Sequence, residues 1–266
     1  MTTISKNLIL FWQGTLLSYR ALFAWLRPVT YMASKIFMPL AQMFFFVFLG
    51  TYGSGSGHSD FYVIGNAIQI TAISGIFGVT FSVGGDRDAG TLPYLFGTPA
   101  NRFMIFFGRA FMHVIDGAIG VIIALIWGVL LLGLDLSHTN LSALGLTILI
   151  TTISTCGLGL LMGCLSLLTA NVMFINNFVY FSLLIFSGAN VPIASLPAWM
   201  QVISNALPLT RGITAARALA AGARLSEVSP LLIKEIGIGL IYGVLGYFLF
   251  AWFETQAKRR GTLETV

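Results

Sequence analysis

Six long apolar stretches alternate along the chain with short polar connections. They lie at about residues 30–52, 61–83, 103–132, 141–168, 173–188 and 231–253. A helix needs roughly 20 apolar residues to cross a bilayer, so the pattern predicts six transmembrane helices. The third stretch is longer than a crossing requires, and its first turns are expected outside the hydrocarbon. In residues 5–28, Leu8, Phe11, Trp12, Thr15, Leu16, Tyr19, Leu22, Phe23 and Leu26 recur at three- and four-residue spacing. Lys6, Gln13, Arg20 and Arg27 interrupt them. That predicts an amphipathic helix lying in the membrane interface, ended or turned by Pro28. The alternative is a tilted span with Arg20 deep in lipid, at a cost of about 2.5–3.5 kcal/mol. Residues 189–229 carry Pro192, Pro197 and Pro208, with helical periodicity from Pro197 to Leu207 that is too short to cross. Two short interfacial or re-entrant helices are expected there, with Trp199 at headgroup level.

Composition agrees with this pattern. Hydrophobic residues make up 57% of the 266, charged residues 9%, and mean hydropathy is +0.90. Soluble domains are about 25% charged. The chain reads as an all-α polytopic membrane protein, a single transmembrane domain over 1–266. The N-terminus has no clean apolar run ending in a small-residue cleavage site and does not read as a cleavable signal peptide. A formal charge of +5 fits topology and anionic lipid headgroups. No basic run with interleaved aromatics offers a groove for nucleic acid.

Orientation follows from the basic residues. Both termini fall on one side of six spans. That side holds Lys6, Arg20, Arg27, Lys35, Arg87, Arg102, Arg109, Lys258, Arg259 and Arg260, ten of the fourteen. Arg211, Arg217, Arg224 and Lys234 lie on the other side, expected at its headgroup layer. The positive-inside rule places both termini in the cytoplasm, in a plasma or inner cell membrane. Lys35 is expected to snorkel to the interface, and Pro39 to kink the first span.

The densest polar stretch is GDRDAGTLPYLFGTPANR, from Gly85 to Arg102. Asp86, Arg87 and Asp88 stand in a row there, between two apolar segments. Such a cluster belongs in water and suits the grip of a soluble partner. Within the spans, Asn66, Gln69, Asn176 and Asn177 are candidate polar groups of a pathway. Gly75 and Gly78, and Gly159 with Gly163, mark close helix approach. Arg109, His113 and Asp116 fall at i, i+4 and i+7 on one helical face, and Asp116 stands out as an acid inside an apolar segment. The ladder is read either as a proton- or substrate-linked site or as a local arrangement in which Arg109 and His113 neutralise Asp116.

Other chemistry is thin. Cys156 and Cys164 are two helical turns, about 12 Å, apart, beyond disulfide reach. His58 and His138 are isolated, whereas a metal site needs three or four convergent ligands. No metal or cofactor is expected in this chain. There is no GxxxxGK[ST], HExxH, CxxC or GxSxG, so ATP cannot be held by a phosphate loop here. Paired broken helices of an inverted repeat, common in secondary transporters, are also missing.

Two stretches carry a family resemblance that extends over nearly the whole chain. GDRDAGTLPYLFGTP is similar to an acidic-basic-acidic, x, Gly-Thr, apolar, Thr-Pro pattern. FSGANVPIASLPAWMQVISNALPLTRGITAARAL is similar to a small-residue, Pro, LPxW, short helix, Pro-Leu-Thr pattern. Together they resemble the permease subunit of type-2 ABC exporters. The resemblance implies that 85–102 holds a cytoplasmic coupling helix seated in a cleft of an ATPase subunit. Asp86, Arg87 and Asp88 would be its polar contacts, and Gly90 and Thr91 would shape the helix start. Leu92 and Leu95 would be apolar contacts, Thr98 and Pro99 the exit. Asp86 and Asp88 stand where relatives often have Glu, and Arg211 where an aromatic or small residue is more usual. Pro93 stands where an acid is frequent. Either the helix starts near Thr91, since proline suits a first turn but not an interior, or this contact differs in detail.

The resemblance further implies two permease protomers around a pathway along the first, second and fifth spans. Two copies of a separate ATPase would bind ATP and Mg. The Phe- and Met-rich first span, YMASKIFMPLAQMFFFVFLG, suits a hydrophobic or amphipathic cargo such as a drug, lipid or peptide-like compound, or is lipid-facing bulk. The rival within this class is a permease for a polysaccharide or lipid-linked glycan, with aromatic residues repeating along the pathway. A stand-alone channel or secondary transporter would work without ATP, and a membrane enzyme would depend on Asp116.

Overall fold

The computed structural model describes residues 3–25, 27–54, 59–88, 90–98, 101–167 and 171–260. The elements in order are α1 (Thr3–Trp25), α2 (Pro28–Ser54), α3 (Ser59–Ala72), a π-helical turn (Ile73–Gly78) and α4 (Val79–Asp88). Then come α5 (Leu92–Gly97), α6 (Arg102–Leu132), α7 (Leu141–Ser166), α8 (Val172–Phe186) and a 3₁₀ turn (Ile193–Ser195). The chain ends with α9 (Ala198–Ala206), α10 (Thr210–Ala220) and α11 (Leu225–Arg260). No strand occurs among the described residues.

Five helical stretches are long and apolar enough to cross a membrane: Val29–Gly53, Ser59–Gly85, Met104–Leu132, Leu141–Ser166 and Leu225–Gln256. The expectation of six meets a difference at the fifth. α8 has 15 residues, about 22 Å of helix, against a hydrocarbon core of about 30 Å. The last span also starts earlier than expected, at Leu225, with Pro230 inside the helix. Proline removes the N–H that would bond the Ser226 carbonyl. The Ser229 hydroxyl donates to that carbonyl instead, at 3.0 Å, so the helix runs through.

α7 is the centre. It touches α3, the π turn, α4, α6, α8, α10 and α11. The polar side chains of its TTISTC stretch are buried without leaving hydroxyls unpaired. Thr147, Thr151, Thr152 and Thr155 each donate to the carbonyl four residues back, the internal solution open to hydroxyls on a helix. Small residues set how close the neighbours come. A side chain on Gly159 would collide with the Gly75 carbonyl, and one on Gly157 would put Cβ 2.5 Å from the Gly239 carbonyl oxygen. The predicted close approach at Gly75 and Gly159 is therefore a backbone contact between α7 and the π turn.

α6 is capped at both ends. The Asn101 side chain accepts from the Met104 N–H at 3.3 Å. Gly133 takes the left-handed conformation (φ 71°), which closes the helix while Leu134 N–H reaches back to the Gly128 carbonyl at 3.0 Å. α1 lies along the first turns of α6, with Phe11 against Phe107 and Phe111. α2 packs on α3 and α6 and leaves Phe37, Met38, Phe45, Phe48 and Tyr52 exposed. The bundle thus has an α5 end, with the end of α4, the starts of α6 and α8 and the end of α11. Its opposite, α9 end holds the remaining connections.

Candidate functional site

At the α5 end, the polar stretch folds as the last turn of α4, a turn and the short helix α5. Gly90 makes the turn at φ 66°, a conformation side chains disfavour. Thr91 precedes α5, and Pro93 sits in the first turn, where a missing N–H breaks no helical bond. Thr98 closes the helix in extended conformation (ψ 150°), as a residue before proline prefers, and its hydroxyl donates to the Leu95 carbonyl at 2.9 Å. Asp86, Arg87 and Asp88 are helical in α4; their side chains and that of Leu92 lie outside the described residues, as does Pro99. The two described large side chains of α5 point opposite ways. Leu95 packs inward on a cluster of Val83, Phe106, Cys164, Leu167, Phe250 and Phe253, drawn from α4, α6, the end of α7 and α11. Tyr94 is 79% exposed. Of the two expected apolar contacts, Leu92 and Leu95, Leu95 faces the bundle, and Tyr94 is the exposed large side chain. Helical phase within six residues is the signal that separates them.

Deeper in the bundle, Arg109, His113 and Asp116 share the face of α6 turned to α3, the π turn and α4. Arg109 Nη1 donates to the Ser82 carbonyl at 2.9 Å, and His113 Nε2 lies 2.7 Å from Ser82 Oγ. Asp116 Oδ2 accepts from Ser74 Oγ at 2.6 Å. In an unbroken α-helix Ser74 and Ser82 would point about 80° apart. The extra residue taken up by a π turn rotates the succeeding helix back by about 100° and lets both hydroxyls meet α6. A side chain on Gly78 would strike the His113 ring, so this crossing also depends on a missing Cβ.

The expected ladder is corrected in one respect: Asp116 is not neutralised by Arg109 or His113. Its charge partner is Lys35 of α2, with Nζ 2.6 Å from Oδ2 and side-chain exposures of 15% and 8%. The Tyr31 hydroxyl donates to the other carboxylate oxygen. Lys35 therefore turns inward rather than snorkelling. The reason is energetic, because an intramembrane carboxylate without a countercharge is far more costly than a paired one. The cluster joins α2, the π turn and α6.

The four candidate pathway groups do not form one cluster. Asn66 donates to Asn190 Oδ1 at 2.8 Å, and Gln69 Oε1 accepts from Ser187 Oγ at 3.1 Å. Both pairs stitch α3 to the segment after α8. Asn176 is buried on α8 with neither amide atom hydrogen-bonded, whereas Asn177 is exposed and bonds the Met173 carbonyl.

At the α9 end two residues matter that the sequence reading missed or misplaced. Arg217, expected at the headgroup layer, points inward. It donates to the carbonyls of Phe61, Gly188 and Ala189 and lies 3.4 Å from the centre of the Phe61 ring. Burial pushes its pKa down. Glu235 of α11 is a second buried acid, fully inaccessible, and its position beside Lys234 near a span's start gives no sign of burial in the sequence. Its Oε1 accepts from the Leu209 N–H at 2.5 Å, at the start of α10, where Leu209 is held at φ 82°. Its Oε2 has no hydrogen-bond partner.

Among the described residues no group of His, Cys, Asp and Glu converges as metal ligands, and Cys156 and Cys164 are free thiols. No curated protein matches the chain significantly. The family model described as ABC-2 type transporter matches residues 13–220, which takes in α5, the Asp116 cluster and α7 together. The chain belongs to the ABC-2 type transporter family and is a multi-pass membrane permease component of an ABC transporter.

Proposed function

We propose that this permease is one half of an ATP-driven exporter that moves a hydrophobic or amphipathic compound out of the cytoplasm or inner leaflet. The observation that carries the coupling assignment is the two-sided build of α5. Tyr94 stands in solvent, while Leu95 is wedged into a cluster contributed by four other helices. A push on the exposed side reaches the bundle through that wedge. On this reading the α5 end and both termini are cytoplasmic. Two ABC ATPase subunits, holding ATP and Mg, dock on the segment from Asp86 to Thr98. Asp86, Arg87 and Asp88 give the charged contacts, Leu92 and Tyr94 the apolar ones, and Gly90, Thr91 and Pro99 the turns. α1 lies in the interface and transmits the same motion to α6 and, through Pro28, to α2. α8 with the segment after it counts as the sixth crossing, and α9 and α10 are short outer helices.

A second protomer faces α2 and α8, whose Phe and Met side chains form exposed apolar faces. The pathway runs along α2, α3 and α8, with Asn66, Gln69, Asn176 and Asn177 as its polar groups. The unpaired amide of Asn176 supports this, because a buried polar group without a partner is costly and gains one when the helices part. A switch between the two access states requires a gap of only a few kcal/mol. One observation favours glycan export as the second reading. Phe174, Phe178 and Phe181 repeat at i, i+4 and i+7 on the exposed face of α8, a row on which sugar rings could stack.

The test is co-purification with the cognate ABC ATPase. Asp86→Ala with Asp88→Ala is expected to lower recovery of the ATPase at least tenfold while the permease itself is made and extracted normally. Full recovery would show that the docking assignment is wrong.

A further inference from the structure

A cavity of about 690 Å³ lies between α6, α7 and α11 at membrane depth, on the opposite side of α6 from the Asp116 cluster. Its size falls within the range of ligand pockets. Phe11 of α1 closes its α5 end, Phe111 and Leu160 form two walls, and Gly243 and Tyr247 line α11. It follows α11 from Ile236 to Tyr247, about 16 Å of helix. The Ser154 hydroxyl, the side-chain polar group deepest in the lining, is taken by the Glu235 carbonyl at 3.1 Å. Apart from the Cys156 thiol and the Tyr247 hydroxyl the other lining side chains are apolar, so a hydrocarbon chain loses little there.

We infer that this groove holds one acyl chain of an anionic phospholipid. Two observations support the occupant. The groove is continuous with the lipid-facing surface, since Ile153, Leu240, Val244 and Tyr247 on its margins are exposed apolar residues of membrane-crossing helices. The end closed by Phe11 is cationic as well. α1 carries Lys6 and Arg20, both exposed, and no acid. Lys6 lies five residues before Phe11, about 7–8 Å along the helix and about 140° around it. The headgroup part of the inference rests on the cytoplasmic placement of the α5 end proposed above, where anionic lipids concentrate. The occupant touches α1, α6, α7 and α11 at once and so fills the joint between the interfacial helix and the bundle.

Gly243 provides the test. A Cβ there meets open space, and Gly243 lines the groove, whereas Gly237, equally open, does not. The full chain is reconstituted in vesicles of phosphatidylcholine containing a trace of phosphatidylglycerol with a diazirine on its acyl chain, photolysed, and mapped by peptide mass spectrometry. Label is expected in 150–160 and 236–247 at no less than five times its level on the exposed face of α2. Gly243→Leu should lower it at least fivefold and Gly237→Leu should leave it unchanged. A phosphatidylcholine probe, or Lys6→Gln with the original probe, should lower it about threefold. Uniform labelling, labelling that survives Gly243→Leu, or crosslinks between two copies through 236–247 would overturn the assignment. Equal labelling by both probes would overturn the anionic headgroup. None of these readouts uses ATP or the ATPase, so failed docking at Asp86 and Asp88 would sink the exporter reading and leave this result standing.

Discussion

Two buried carboxylates divide the molecule into regions with different electrostatic solutions. Asp116 lies where α2, the π turn and α6 meet, and it is matched by a full countercharge from Lys35 and by two hydroxyls. Glu235 lies at the α9 end, where one oxygen receives a backbone N–H at the start of α10 and the other is unpaired. The first is a tie between separate helices, made by side chains that can part. The second is a helix cap, which fixes a short element to α11 and relies on the partial positive charge of a helix N-terminus and on the nearby Arg211. Arg217 shows the same economy with opposite sign, since its guanidinium is held by three backbone carbonyls. At the α9 end these two charged groups are thus held largely by backbone groups, and the α2–α6 contact is held by an ion pair.

The most damaging way to break this contrast is to strand one member of the pair. Lys35→Met leaves Asp116 charged and buried and is expected to destabilise the protein by about 3–5 kcal/mol, read as the unfolding midpoint in detergent. Lys35→Met combined with Asp116→Leu should recover most of that loss, because a buried ion pair replaced by apolar groups is often neutral. A double variant as unstable as the single one would mean that the residues matter for packing rather than charge. A smaller effect is expected at the other acid. Glu235→Ala removes a cap and should cost about 1–2 kcal/mol, with faster hydrogen exchange confined to 209–220. Glu235→Gln, which keeps an acceptor for Leu209 N–H, should retain most of the stability. An equal loss from both changes would assign Glu235 a charge-dependent role like that of Asp116.

The sequence made the helices legible, because apolar length and 3.6-residue periodicity are local properties. It also put Arg109, His113 and Asp116 on one face. It could not show what that face meets. Lys35 is 81 residues from Asp116, and nothing in ISGIFG marks a π turn that swings Ser82 into line with Ser74. Arg217 read as a headgroup residue because its partners are backbone carbonyls, which carry no residue-type signal. The fifth apolar stretch reads as one continuous span from its hydropathy, whereas only 15 of its residues form the helix α8. In α5 the motif located the segment, but the contrast between Leu95 and Tyr94 depends on which turn packs onto the bundle.

If α5 is a two-sided transmitter, docking and transmission are separable. ATP hydrolysis by the cognate ABC ATPase is measured in proteoliposomes with wild-type permease and with Leu95→Ala, alongside recovery of the ATPase on the permease. Leu95→Ala is expected to bind the ATPase as well as wild type while losing most of the permease-dependent stimulation, because the wedge into Val83, Phe106, Cys164, Leu167, Phe250 and Phe253 is gone. Full stimulation with full binding would contradict it.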